Sequence, residues 1–95
     1  MDAYRSPTGP SIRRRSPVSF DCCDVPGLSD WLEARGYRQI APRTASEFGR
    51  LQRDGSILVL YHSGAIVAQG ADTLTATQLL GTLVPADAEG IYARH

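Results

Sequence analysis

Two adjacent thiols, Cys22 and Cys23, flanked by Asp21 and Asp24, are where this 95-residue chain concentrates groups able to hold a metal or exchange disulfides. A zinc centre needs a second pair of ligands at suitable spacing. His62 and His95 are the only histidines, and neither has a companion at that spacing. Small apolar filler accounts for the two cysteines equally well, and strand-end and helix-capping roles account for the two aspartates. His62, followed by Ser63-Gly64, reads as a solvated turn residue. Neighbouring cysteines rarely bond each other, so no disulfide framework is expected and a reducing, cytoplasmic compartment is. No glycine-rich phosphate loop, HExxH or paired-cysteine motif occurs. The chain is therefore expected to act by binding, without catalysis, metal or cofactor.

Charge points the same way. All ten basic residues are arginines, set against ten acids, so the net charge is zero. Residues 1–16 hold four arginines (Arg5, Arg13, Arg14, Arg15) against Asp2, a net of +3. Residues 17–95 hold six arginines against nine acids, a net of −3. A basic arm on a slightly acidic body suits contact with an anion through the arm, and residual binding by the body alone is expected to be weak. A solubilising tail is the bland reading of the same residues. No apolar run approaches the roughly 20 residues that span a bilayer, and the N-terminus carries no apolar signal-peptide core, so no membrane is expected.

The elements that must position any binding residue follow from periodicity. Residues 1–16, with two prolines, a glycine and no apolar period, are expected to be a disordered basic arm. Residues 17–22 alternate with Val18, Phe20 and Cys22 on one side, a short strand. Asp24 can cap a helix near 25–35, where Leu28, Trp31 and Leu32 fall at helical spacing and Gly36 supplies the stop. Trp31 is read as core. Residues 46–53 alternate, Asp54-Gly55 is a hairpin signal, 56–61 is a β-branched and aromatic strand, and 65–70 returns after His62-Ser63-Gly64. Asp72 or Thr73 caps a second helix whose Ala76, Leu79, Leu80 and Leu83 share a face, with Val84 beside it, and Pro85 ends it. Residues 85–95 are expected to be a C-terminal tail. The order strand–helix–three-stranded meander–helix predicts an α+β domain over 17–84: an antiparallel sheet of about four strands, with two helices on one face.

The stretch from Leu58 to Ala71, LVLYHSGAIVAQGA, resembles the central hairpin of the TATA-box-binding-protein fold: apolar strand, aromatic, x-Ser-Gly turn, apolar strand, then a polar residue, Gly and Ala. It is more similar still to the N-terminal domain of ribonuclease HIII, which keeps the aromatic and the Ser-Gly turn and ends its strand in Gln-Gly. Upstream, the strand holding Val18, the helix ending at Gly36, then Pro42 and Phe48 agree in order, so the likeness covers roughly 17–84. The resemblance implies a single repeat of a curved, saddle-like sheet whose concave face meets nucleic acid. The ribonuclease H catalytic sequence is not in this chain, so no nuclease activity is implied. Phe48 and Tyr61 match aromatic positions that wedge against bases in the transcription factor, and Val67 and Gln69 match minor-groove contacts.

Strand parity adds to this. An odd-numbered turn places Tyr61 opposite Ala65, so Ile57, Val59, Tyr61, Ala65, Val67 and Gln69 share one face. Phe48, Arg50 and Gln52 are expected to join them, while Leu58, Leu60 and Ile66 face the helices. The first set reads as an exposed apolar patch, which marks an interface, and a change at Val59 is expected to cost little stability. The expected partner is DNA, RNA or an RNA/DNA hybrid, held by Phe48, Arg50, Gln52, Val59, Tyr61, Val67 and Gln69, with Arg13, Arg14 and Arg15 on phosphates. The alternative is a protein-interaction or regulatory module using the same face, for a protein partner or a homodimer.

Overall fold

The structure, a computed structural model, describes residues 10–85. Its elements are β1 (Ile12–Ser16), β2 (Ser19–Cys22), α1 (Val25–Glu33), β3 (Arg38–Ile40), β4 (Glu47–Arg53), β5 (Ser56–Tyr61), β6 (Ala65–Gly70) and α2 (Thr73–Gly81). The strands form one open sheet in the order β1-β2-β6-β5-β4-β3, with every neighbouring pair antiparallel. The α+β class is as the periodicity predicts, but the sheet has six strands rather than about four, and β3 extends the expected three-stranded meander to four strands.

Tight turns fix the meander. Arg53 pairs with Ser56 across a two-residue loop in which Asp54 takes φ 52°, a left-handed conformation that Asp tolerates better than most residues. At the β5–β6 turn Gly64 has φ 102°, and a Cβ there would come within 2.5 Å of the Cys22 carbonyl oxygen. Only glycine lets the turn lie so close to β2, whose Cys22 N–H donates to the Gly64 carbonyl at 2.7 Å.

Both helices start on aspartate caps. The Asp24 carboxylate accepts from the Gly27 N–H, and that of Asp72 from the Thr75 N–H, each at 3.0 Å. Such caps supply an acceptor to N–H groups that the first helical turn leaves unpaired. The second helix ends at Gly81, before Pro85; the Thr82 hydroxyl donates to the Leu79 carbonyl at 2.7 Å. The helices bury Val25, Leu28, Leu32, Ala76 and Leu80 against Phe20, Leu51, Leu58, Leu60, Ile66 and Ala68, one continuous core. Trp31 and Leu79 pack on its margin. These strand residues share one parity, so both helices cover one face of the sheet and leave the other without a helix.

Two strands escape the sequence reading for the same reason. In β1 the inward residue between Ile12 and the turn is an arginine, which hides the period of two. Ile12 is buried opposite Cys22, and Arg14, opposite Phe20, lays its guanidinium 4.9 Å over the Phe20 ring. Residues 12–16 are thus an edge strand of the sheet and not a mobile arm. In β3 the inward residue is Gln39, whose amide donates to the Ser29 hydroxyl of α1 at 3.1 Å. Gln39 stays exposed at this sheet edge and is tied to α1 by that hydrogen bond, so no apolar inward residue marks the strand in the sequence. The remainder of the expected arm and the expected tail beyond Pro85 lie outside the described residues.

Candidate nucleic-acid interface

Pairing register arranges the helix-free face in three rows running across the strands. One row holds Arg13, Asp21, Ala65, Tyr61 and Glu47; Tyr61 follows from the parity set by Leu60 opposite Ile66. The middle row holds Ser19, Val67, Val59, Arg50 and Ile40. The third holds Gln69, Ile57, Gln52 and Arg38. Of the ten residues expected to bind, eight come together on this face: Arg13, Arg15, Arg50, Gln52, Val59, Tyr61, Val67 and Gln69. Arg15 joins it by bonding Asp21 at 3.2 Å. Strands about 4.8 Å apart bring each row's side chains within reach of a single ligand.

Two expected members face the helices instead. The pairing steps from Gly49↔Leu60 to Glu47↔Tyr61, so Phe48 is the extra residue of a β-bulge, and the alternation linking it to Arg50 fails there. Phe48 packs on the core margin and meets the His62 ring edge-on at 5.9 Å. Arg14 lies over Phe20 on the helix side, and a Cβ on Gly81 would sit 2.9 Å from its Nη2, which places the guanidinium at the C-terminal end of α2. A cation there complements the helix dipole, so Arg14 is a structural residue.

The apolar strip is also less open than expected. Val59 is 0% exposed yet lies outside the main core, and Ile57, Tyr61, Ala65 and Val67 are half-buried. Among the described residues the exposed large hydrophobics are Val18 in the β1–β2 turn and Leu74 at the start of α2, neither on this face. The face is a packed second surface with polar groups standing on it.

Beside Val59 and Tyr61 lies a built ion pair. Arg50 donates to Glu47 through Nε at 2.8 Å and Nη2 at 3.2 Å, with side chains only 11% and 2% exposed. Glu47 also accepts from the Arg43 N–H at 3.0 Å and the Thr44 hydroxyl at 3.2 Å, fastening the β3–β4 loop to the sheet. The Arg50 guanidinium first, then the Arg43 N–H, hold the Glu47 carboxyl at a pKa of about 2 against burial, which acts to raise it. A lowered folded pKa means that the ionised pair stabilises fully above the ordinary value of 4.5 and is lost as pH falls from 4.5 through about 2. Glu47→Gln should therefore lower the urea midpoint at neutral pH, with the deficit closing on acidification through that window. A deficit that does not depend on pH would show that the carboxylate's charge is not what matters.

Charge is sorted between the two sides. Residues 10–85 hold eight arginines and seven acids. Only two of those acids, Asp21 and Glu47, stand on the helix-free face, together with Arg13, Arg15, Arg38 and Arg50. Asp24, Asp30, Glu33 and Asp72 cap or ride the helices, and Asp54 tips a hairpin. Among the described residues, the side chains of Arg13, Arg38, Gln52 and Gln69 make no hydrogen bond or ion pair.

No known protein family, curated protein or solved structure matches this chain. The face therefore has to be read from its own chemistry. Ile57 stands on the face where strand parity puts it, and Arg38 was missed as a member. The period-two pattern of 56–61 already puts Ile57 with Val59, whereas Arg38 sits in a segment whose strand character only the register reveals. The free thiols split, Cys22 buried and Cys23 exposed. Burial pushes the Cys22 thiol up, which keeps it protonated and unreactive. Among the described residues no three His, Cys, Asp or Glu side chains are grouped so as to hold a metal ion, and no helix is long and apolar enough to cross a membrane.

Proposed function

We propose that the chain is a nucleic-acid-binding module that uses the helix-free face of its sheet and carries out no chemistry of its own. The observation that carries this reading is the sorting of groups just described: four arginines against two acids on one face, with Arg13 and Arg38 unpaired among the described residues and Arg15 and Arg50 paired to those acids, two unpartnered amides beside them, and most acids on the other side. Guanidinium groups neutralise phosphates, and amides read base edges or sugars. Tyr61 is the aromatic of the face and supplies a surface for a base to stack on. With Phe48 turned into the protein, Tyr61 does alone what a pair of aromatics was expected to do. The single-repeat fold of the ribonuclease HIII N-terminal domain remains the family reading; a helix, a set of antiparallel strands and a second helix in that order, with both helices on one face, support it, while the strand β1 ahead of β2 and the strand β3 are additions to the expected order. Free cysteines suit the reducing, cytoplasmic setting that accompanies it.

The test is binding of the protein to labelled duplex, hybrid and single-stranded oligonucleotides across a salt series. Tyr61→Ala should weaken binding by about 1–3 kcal/mol. Arg13→Gln with Arg15→Gln should lower the salt slope by about 0.7–0.9 for each phosphate contact removed. No binding to any oligonucleotide at low salt, together with a homodimer or hetero-complex that survives high salt, would overturn this reading in favour of a protein partner on the same face. The half-buried Tyr61, Val67 and Ile57, one from each row, are what that alternative would use.

A further inference from the structure

The row Gln69–Ile57–Gln52–Arg38 does not end at the sheet edge. It opens into a cleft of about 340 Å³ lined by Gly36, Arg38, Gln52, Arg53 and Asp54. We propose that this cleft is a phosphate-binding subsite, which deepens the nucleic-acid reading and rests on it for the source of the phosphate. The two guanidiniums reach the cleft from different sides of the sheet. Arg38 pairs with Gln52 on the helix-free face, exposed and without a side-chain partner among the described residues. Arg53 comes from the helix side, where its guanidinium lies 5.7 Å over the Tyr37 ring and donates through Nη1 to the Arg35 carbonyl at 3.0 Å.

These contacts hold Arg53 in place before any ligand arrives, so less side-chain entropy is lost on binding. One Nη1 bond to a carbonyl leaves the rest of a five-donor fork for phosphate oxygens. Gln52 adds an amide donor between the two cations. Gly36, at φ 96°, forms the floor; a Cβ there would stand 3.7 Å from Arg53 Cδ and 3.9 Å from its Nε, filling the space beside the guanidinium. The one opposing charge is Asp54, whose carboxylate lies 4.0 Å from Arg53 Nε and is 89% exposed. Two guanidiniums against one carboxylate leave the cleft a net positive charge, which the nearby Asp54 reduces. A strand lying along the third row, with its bases near Ile57 and the glutamine amides, would place a phosphate at the row's Arg38 end.

The test follows the arginine Nε and glycine amide resonances of the full chain by NMR during titration with inorganic phosphate, then with a thymidine oligonucleotide with and without a 5′-phosphate. The expected result is saturable shifts at Arg38, Arg53 and Gly36 in millimolar phosphate. Arg38→Gln should weaken the phosphate affinity about tenfold. Asp54→Asn should strengthen it, because it removes the opposing charge while Asn tolerates the left-handed backbone at that position. Preference for the 5′-phosphorylated oligonucleotide would identify a strand end as the source, and equal binding an internal phosphodiester. Absence of saturable shifts at Arg38 and Arg53, or an Asp54→Asn variant that binds phosphate no better, would overturn the subsite even if the oligonucleotide still binds around Tyr61. Saturation by phosphate without any oligonucleotide binding would keep the subsite and overturn the nucleic-acid reading instead.

Discussion

Leu60→Ala should lower the free energy of unfolding by about 2–5 kcal/mol, as deletion of a fully buried leucine does. Leu60 is 0% exposed on β5, a strand with neighbours on both sides, and its side chain belongs to the core shared with both helices. The comparison that gives this measurement its value is Val59→Ser, one residue earlier and on the opposite face. Alternation makes Val59 a surface residue and its change cheap, but its 0% exposure predicts otherwise. Losing a buried valine and placing a hydroxyl there should cost about 2 kcal/mol or more. Urea denaturation of the two variants decides the matter. A near-neutral Val59→Ser would mean that the helix-free face is the open apolar patch that alternation predicts, and would revive an apolar protein interface there.

Removal of residues 1–16 should destabilise the whole domain, not merely shed charge. Burial of Ile12 alone is worth about 1.5–3 kcal/mol. Its loss comes with that of the Arg14 guanidinium over Phe20 and of the pairings from Ile12↔Cys22 to Ser16↔Ser19. The new edge strand β2 would present unpaired backbone groups to solvent, a template for association. By contrast, Arg13→Gln with Arg15→Gln keeps the strand and should change stability by less than about 1 kcal/mol, since the exposed Arg15–Asp21 pair is a weak one. An unchanged urea midpoint for the truncated chain would show that β1 contributes nothing to the fold. Because truncation mixes a folding effect with a charge effect, the electrostatic share of the proposed nucleic-acid binding is to be measured with the substitutions.

The difference between these two pairs of variants marks what kind of information a sequence carries. The strands β4, β5 and β6, the Asp24 cap, the two helices and the split of Leu58, Leu60 and Ile66 from Ile57, Val59 and Val67 all follow from the sequence alone, whereas the choice of Asp72 over Thr73 as the second cap does not. They rest on local rules: period-two alternation, glycine where φ is positive, and side-chain acceptors at helix starts. The bulge at Phe48 is invisible to those rules, because one added residue preserves the local pattern while reversing the direction of a side chain. The strands β1 and β3 are invisible for a related reason. Their inward positions are held by Arg14 and Gln39, whose polar ends are satisfied by Phe20 and Ser29, residues six and ten places away. The same holds for the cleft, where Arg38 and Arg53 converge only because β3 returns alongside β4. Local propensity and patterning fixed the elements; the pairing register decided which arginines are structural, which stand free, and where they meet, because those contacts exist only once distant segments are brought side by side.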